Sequence, residues 1–121
     1  MEDKKIKILV VDDEPEIADI LKCSLSVRGY AVERAFSGEE ALRIIAGKKI
    51  DLVILDIMMH GIRGTDVAKI IKDKYPDTKI IVVTAYPEEG SKLSKEINLA
   101  GLYIKPFGLE EFYNKLLTLQ A

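Results

Sequence analysis

Apolar residues recur along this chain in two rhythms that take turns. Short runs that are continuous or alternate with polar residues read as strands: Lys5–Val11, Tyr30–Phe36, Leu52–Leu55 running into Asp56, Lys79–Thr84 and Leu102–Ile104. Between them the apolar positions fall at helical spacing. Ile17, Ile20, Leu21 and Leu25 form one stripe; Ala41, Leu42 and Ile45 a second; Val67, Ile70 and Ile71 a third. The segment Pro87–Asn98 has the thinnest stripe, with only Leu93 and Ile97 inward, whereas Leu109, Phe112, Tyr113, Leu116 and Leu117 make a strong one.

Local signals punctuate these elements. Pro15 suits the first turn of the first helix, and Gly29 stands where a left-handed residue would stop it. Ser37 and Glu40 have the spacing of a capping box. Thr65 is positioned to cap the third helix, Tyr75-Pro76-Asp77 reads as a turn, and Glu110 and Glu111 favour the N-terminal dipole of the last helix. Strict alternation of strand and helix predicts an α/β fold with a parallel sheet, helices on both faces and right-handed crossovers.

The bulk properties narrow the class. With 121 residues, 48% hydrophobic and 31% charged, the chain is expected to form a single domain over 1–121 with its own core. A net charge of −2 provides no overall basic field for nucleic acid or anionic lipid. No apolar run approaches membrane-spanning length, and the charged start, Met1-Glu-Asp-Lys-Lys, leads straight into a strand, so no signal peptide and a cytoplasmic location are expected. Cys23 cannot form an internal bridge; its place in an amphipathic segment suggests a buried structural thiol.

The strand ends carry the chemistry. Asp12-Asp13 follows the first strand, Asp56 ends the third, Thr84-Ala85 ends the fourth and Lys105-Pro106 follows the fifth. Open α/β sheets place their ligands at this carboxyl edge. Three carboxylates converging there repel one another, and a hard divalent ion such as Mg²⁺ resolves the repulsion with oxygen ligands. A plainer reading has Asp13 cap the following helix, with Glu16 three residues on and Asp12 in solvent. Lys105 is either an ordinary surface lysine or an ammonium reaching Asp56 or an anion bound beside it. Thr84 is either a strand-end residue or a hydroxyl donor to a phosphoryl oxygen.

Together these residues resemble the receiver domain of two-component response regulators: Asp12-Asp13, Asp56, Thr84-Ala85 and Lys105-Pro106-Phe107, over nearly the whole chain. The resemblance implies a flavodoxin-like three-layer sandwich, a five-stranded parallel sheet of order 2-1-3-4-5 with five helices. It implies that Asp56 accepts a phosphoryl group from a sensor histidine kinase or phosphotransfer domain. It further implies Mg²⁺ on Asp13, Asp56 and the backbone carbonyl of Met58, with Asp12 acting mostly through water, and Lys105 and Thr84 on phosphoryl oxygens. A downstream effector would dock on the face of the fourth helix, fifth strand and fifth helix, without direct nucleic-acid or membrane contact. The Lys105–Pro106 bond is implied to be cis.

Three departures from the family pattern matter. His60 replaces the usual proline four residues after the acceptor and is expected to be a solvated loop histidine. Met58 and Tyr86, two beyond the acceptor and the threonine, are bulky. Leu102 takes the place of the usual aromatic, and strand alternation should send Tyr103 to the opposite side. Two other classes compete. A Mg²⁺-dependent phosphohydrolase would need a general acid, and nothing beyond His60 offers one. A flavin or dinucleotide carrier would need glycines where Asp12-Asp13-Glu14 stands.

Overall fold

The computed structural model describes residues 6–105 and 108–120. Among them the elements alternate as β1 (Lys7–Val11), α1 (Pro15–Val27), β2 (Ala31–Ala35), α2 (Gly38–Gly47), β3 (Leu52–Asp56), α3 (Gly64–Lys74), β4 (Lys79–Thr84), α4 (Pro87–Glu96), β5 (Gly101–Ile104) and α5 (Leu109–Gln120). The strands form one sheet of order β2-β1-β3-β4-β5, with every pairing parallel. This is the flavodoxin-like order that the family resemblance implies.

Strand alternation divides the core in two. Leu9, Val11, Val53, Leu55, Ile80 and Val82 face the layer of α2, α3 and α4. Ile8, Val10, Leu52, Ile54, Ile81 and Val83 face α1 and α5, where Phe112 and Leu116 are fully buried. β3 is central and covered on both faces, so all five of its residues are buried. Its lack of polar alternation therefore follows from its place in the sheet.

The caps explain where helices begin and stop. Gly29 takes φ 95°, and the amides of Gly29 and Tyr30 donate back to Ser26 and Leu25, closing α1. Ser37 accepts from the Glu40 amide at 3.1 Å, while the Glu40 carboxylate accepts from Phe36 N–H at 2.7 Å. That completes the box one residue earlier than the standard pattern.

Four expectations need correction. Thr65 does not cap α3, which starts at Gly64 after Arg63. Gly64 lies so close to β3 that a Cβ would fall 2.3 Å from the Ile57 Cα, and its amide bonds the Ile57 carbonyl, so packing sets this start. Ile20 and Leu117 face solvent at 60% and 55% exposure, because the α1 and α5 stripes are narrower than their apolar residues suggested. Cys23 is exposed as well, two residues from both Leu21 and Leu25 and so on the helix face opposite the buried line of Ala18, Leu21 and Leu25.

Candidate functional site

Register brings the strand ends together. Val11 pairs with Leu55, Asp56 with Val83, and Thr84 with Ile104, so Asp12, Asp56, Thr84 and Lys105 all arrive at one edge. Asp12, Asp56 and Thr84 are buried, at 1%, 5% and 0% exposure. Burial of charge is costly unless it is paired, and here it is. Lys105 Nζ donates to Asp56 Oδ2 at 2.9 Å and to Asp12 Oδ2 at 3.3 Å. The Glu14 amide donates to Asp12 Oδ1 and the Met58 amide to Asp56 Oδ1, both at 2.9 Å.

These contacts shape the protonation of the site. Burial pushes the Asp12 carboxyl up, and although the Glu14 amide and Lys105 pull the other way, its pKa stays raised. Burial also opposes the charge of Lys105, but the hydrogen bond and charge of Asp56, backed by Asp12, hold its pKa above the ordinary lysine value. Desolvation alone would raise Asp13; the hydrogen bonds from the His60 amide and ring outweigh it and leave its pKa lowered.

Asp12, Glu14 and Asp56 present carboxylate oxygens within 4.8 Å of one another. Such an all-oxygen, anionic donor set suits a hard divalent cation. Glu14 is the residue that sequence reasoning missed; its signal in the chain is adjacency to the acidic pair. Asp13 does not cap α1, whose N-cap is Glu14, and Asp12 is not in solvent, so the plainer reading of the acidic pair fails. Asp13 instead accepts from the His60 amide at 3.0 Å and lies 2.8 Å from its Nδ1. His60 is thus solvent-facing, as expected, but engaged with Asp13.

Thr84 turns its hydroxyl to its own loop, where it accepts the Tyr86 amide at 3.0 Å. Met58, Met59, Tyr86, Arg63 and Glu89 line the cleft of about 750 Å³ that opens over Asp56 and Lys105. Leu102 lies on the α4 side, where its Cδ1 and the Thr84 methyl both face Gly90. Tyr103 lies on the other side, edge-on to Phe112 with ring centroids 5.4 Å apart. The alternation argument holds, and no bulge restores an aromatic beside Thr84. The expected cis bond involves Pro106, which lies outside the described residues.

Comparison with known proteins gives the same answer as the geometry. Residues 8–117 match the family described as "Response regulator receiver domain". The response regulator MprA of Mycolicibacterium vanbaalenii is 37% identical over 115 residues, covering 94% of this chain and 50% of MprA. The response regulator TrrA of Thermotoga maritima, solved in complex with Mg²⁺–BeF, superposes with a TM-score of 0.85 at 43% identity, covering 94% of this chain and 98% of that one. A Burkholderia pseudomallei response regulator, solved with a phosphorylated aspartic acid and calcium, gives a TM-score of 0.83 at 28% identity, over 98% of this chain and 69% of that one. The fold and the strand-edge carboxylates define a flavodoxin-like domain with an acidic site at the carboxyl edge of its sheet. The chain belongs to the response regulator receiver domain family of two-component signalling. It spans about half the length of the curated relatives it matches (50% of MprA).

Proposed function

We propose that Asp56 is the phosphoacceptor of this domain and that a sensor histidine kinase or phosphotransfer domain is its donor. One observation carries the reading: a carboxylate buried at a strand end, held by a lysine ammonium at 2.9 Å and flanked by further carboxylates. In the transfer, an Asp56 oxygen attacks phosphorus, the phosphorus–nitrogen bond of the donor phosphohistidine breaks, and the imidazole departs as the neutral ring, keeping the proton that its other nitrogen already carries in the donor. Phosphoryl transfer demands an aligned nucleophile and neutralised equatorial oxygens. Lys105 supplies positive charge on one side, and Thr84, once its hydroxyl turns inward, supplies a donor on another.

Asp12, Asp13, Asp56 and the Met58 carbonyl are the proposed Mg²⁺ ligands, and Glu14 adds to the local negative charge. Bound there, Mg²⁺ would neutralise charge on the phosphoryl oxygens. The Mg²⁺–BeF complex of TrrA and the phosphorylated aspartate of the Burkholderia protein support this assignment by similarity. The domain acts as a signalling module that catalyses only its own phosphorylation and dephosphorylation. Residues 1–121 form a single receiver unit, working in the cytoplasm, and α4, β5 and α5 present the effector surface without touching nucleic acid directly. No described helix is long and apolar enough to cross a membrane.

The test is direct. With Mg²⁺ and a small phosphodonor, intact-mass measurement should find one added phosphoryl group, and Asp56→Ala should lose it. Retention of the modification in that variant would overturn the assignment.

A further inference from the structure

The family pattern places a proline where this chain has His60, and the structure gives His60 a partner. The Asp13 Oδ2 atom accepts the backbone amide of His60 at 3.0 Å and lies 2.8 Å from its Nδ1. One carboxylate oxygen thus holds both hydrogen-bonding groups of His60 in the middle of the loop between β3 and α3. A proline at that position could offer neither, since it has no amide hydrogen and no ring donor. Beside this contact stands the acidic cluster: the carboxylates grouped within 4.8 Å are Asp12, Glu14 and Asp56, and Asp13 is not among them. The same loop is held from its far side, where the Ile62 amide points to the Glu39 carboxylate at 3.4 Å and Gly61 takes φ 81°.

We propose that His60 is a positioning residue that holds Asp13 against the β3–α3 loop, so that a divalent cation gains Asp13 as a ligand only by displacing the His60–Asp13 contact. The proposal rests on the cation site described above. Hydrogen-bonded outer partners usually orient a ligand towards its metal; here the partner lies on the loop and ties up one oxygen of the Asp13 carboxylate. Two consequences follow. Cation affinity is lower than the same carboxylates would give with an unhindered Asp13, and cation binding frees the segment directly after the acceptor. The His60 ring is fully exposed, so its contact is worth little by the standards of exposed pairs, and its removal should change affinity by about two- to fivefold. Removing the amide donor as well should raise the gain to about tenfold.

Calorimetric titration with MgCl₂ at fixed ionic strength tests this without phosphoryl transfer. His60→Ala should bind Mg²⁺ about two- to fivefold more tightly than the parent, and His60→Pro about tenfold more tightly. His60→Gln, which keeps a side-chain donor, should return to parental affinity. In parallel, the His60 amide resonance of the parent should shift on saturation with Mg²⁺ while the Glu39-held Ile62 amide moves less. Unchanged or weaker binding in His60→Ala, with the parent binding normally, would overturn the role of His60 and leave the cation site standing. Failure of the parent itself to bind Mg²⁺ would overturn the cation site, and this inference with it.

Discussion

β3 and β5 flank the same strand, β4, and both deliver a residue to the site, but they are held very differently. Every residue of β3 is buried, and its two faces meet both core clusters. β5 is an edge strand of half-buried residues, ending at Ile104 with 36% exposure. Its α4 cover is thin, since only Gly90 and Leu93 of that helix are buried. Local stability follows buried apolar contact, so the sheet stiffens towards Asp56 and loosens towards Leu102. The proposed acceptor therefore sits on the part of the fold least able to move, and the proposed output on the part most able to.

That contrast can be broken by measurement. Ile54→Ala, in the middle of β3, should cost about 2–5 kcal/mol in a denaturant melt. A loss under about 1 kcal/mol would mean that β3 is not the rigid half. Leu102→Ala should cost about 1 kcal/mol, with faster amide exchange confined to α4 and β5. Exchange spreading evenly over the sheet would instead show one cooperative unit.

Met58 and Tyr86 sharpen the comparison at the site itself, because they wall the cleft from the two sides, at 47% and 54% exposure. Under the proposed function they crowd the approach of an in-line water. Replacing both by serine should speed loss of the phosphoryl group about fivefold, roughly 1 kcal/mol of barrier. An unchanged or slower loss, followed by intact mass, would remove shielding as their role.

The smallest effect belongs to the opposite edge of the sheet, where Lys48 Nζ lies 2.7 Å from Glu33. The hydrogen bond to Lys48 leads the causes that lower the Glu33 pKa. A lowered folded value means stability that is present above the unfolded carboxylate pKa and is lost as pH falls through the folded one. Both side chains are about half exposed, so the contribution is below about 1 kcal/mol. Acid titration of stability in Glu33→Gln should lack this small decline; an identical profile would assign the pair no role.

Much of this was legible from residue order. The period of the apolar residues marked all five strands and all five helices, because a buried backbone must be hydrogen-bonded and an apolar face covered wherever the chain runs. The run Leu52–Leu55 ending in Asp56 also fits its position, since a parallel strand covered on both faces reads as a continuous apolar run. Leu102 and Tyr103 were separable for the same local reason, as strand neighbours point to opposite faces. Periodicity could not say how wide each buried stripe is. Ile20 and Leu117 fall outside it and face solvent, and Cys23 lies on the face opposite Leu21 and Leu25.

The acidic site divides along the same line. Which residue types reach the strand ends was determined by sequence, because each follows directly on an apolar strand. Which carboxylates meet was decided only by the tertiary structure. Glu14 is drawn beside Asp12 and Asp56, and Asp13 is drawn to His60, a residue 47 positions away. Hydrogen bonds between side chains on separate loops depend on directions of a few ångströms that no spacing in the chain encodes, and the packing of β1 against β3 sets those directions.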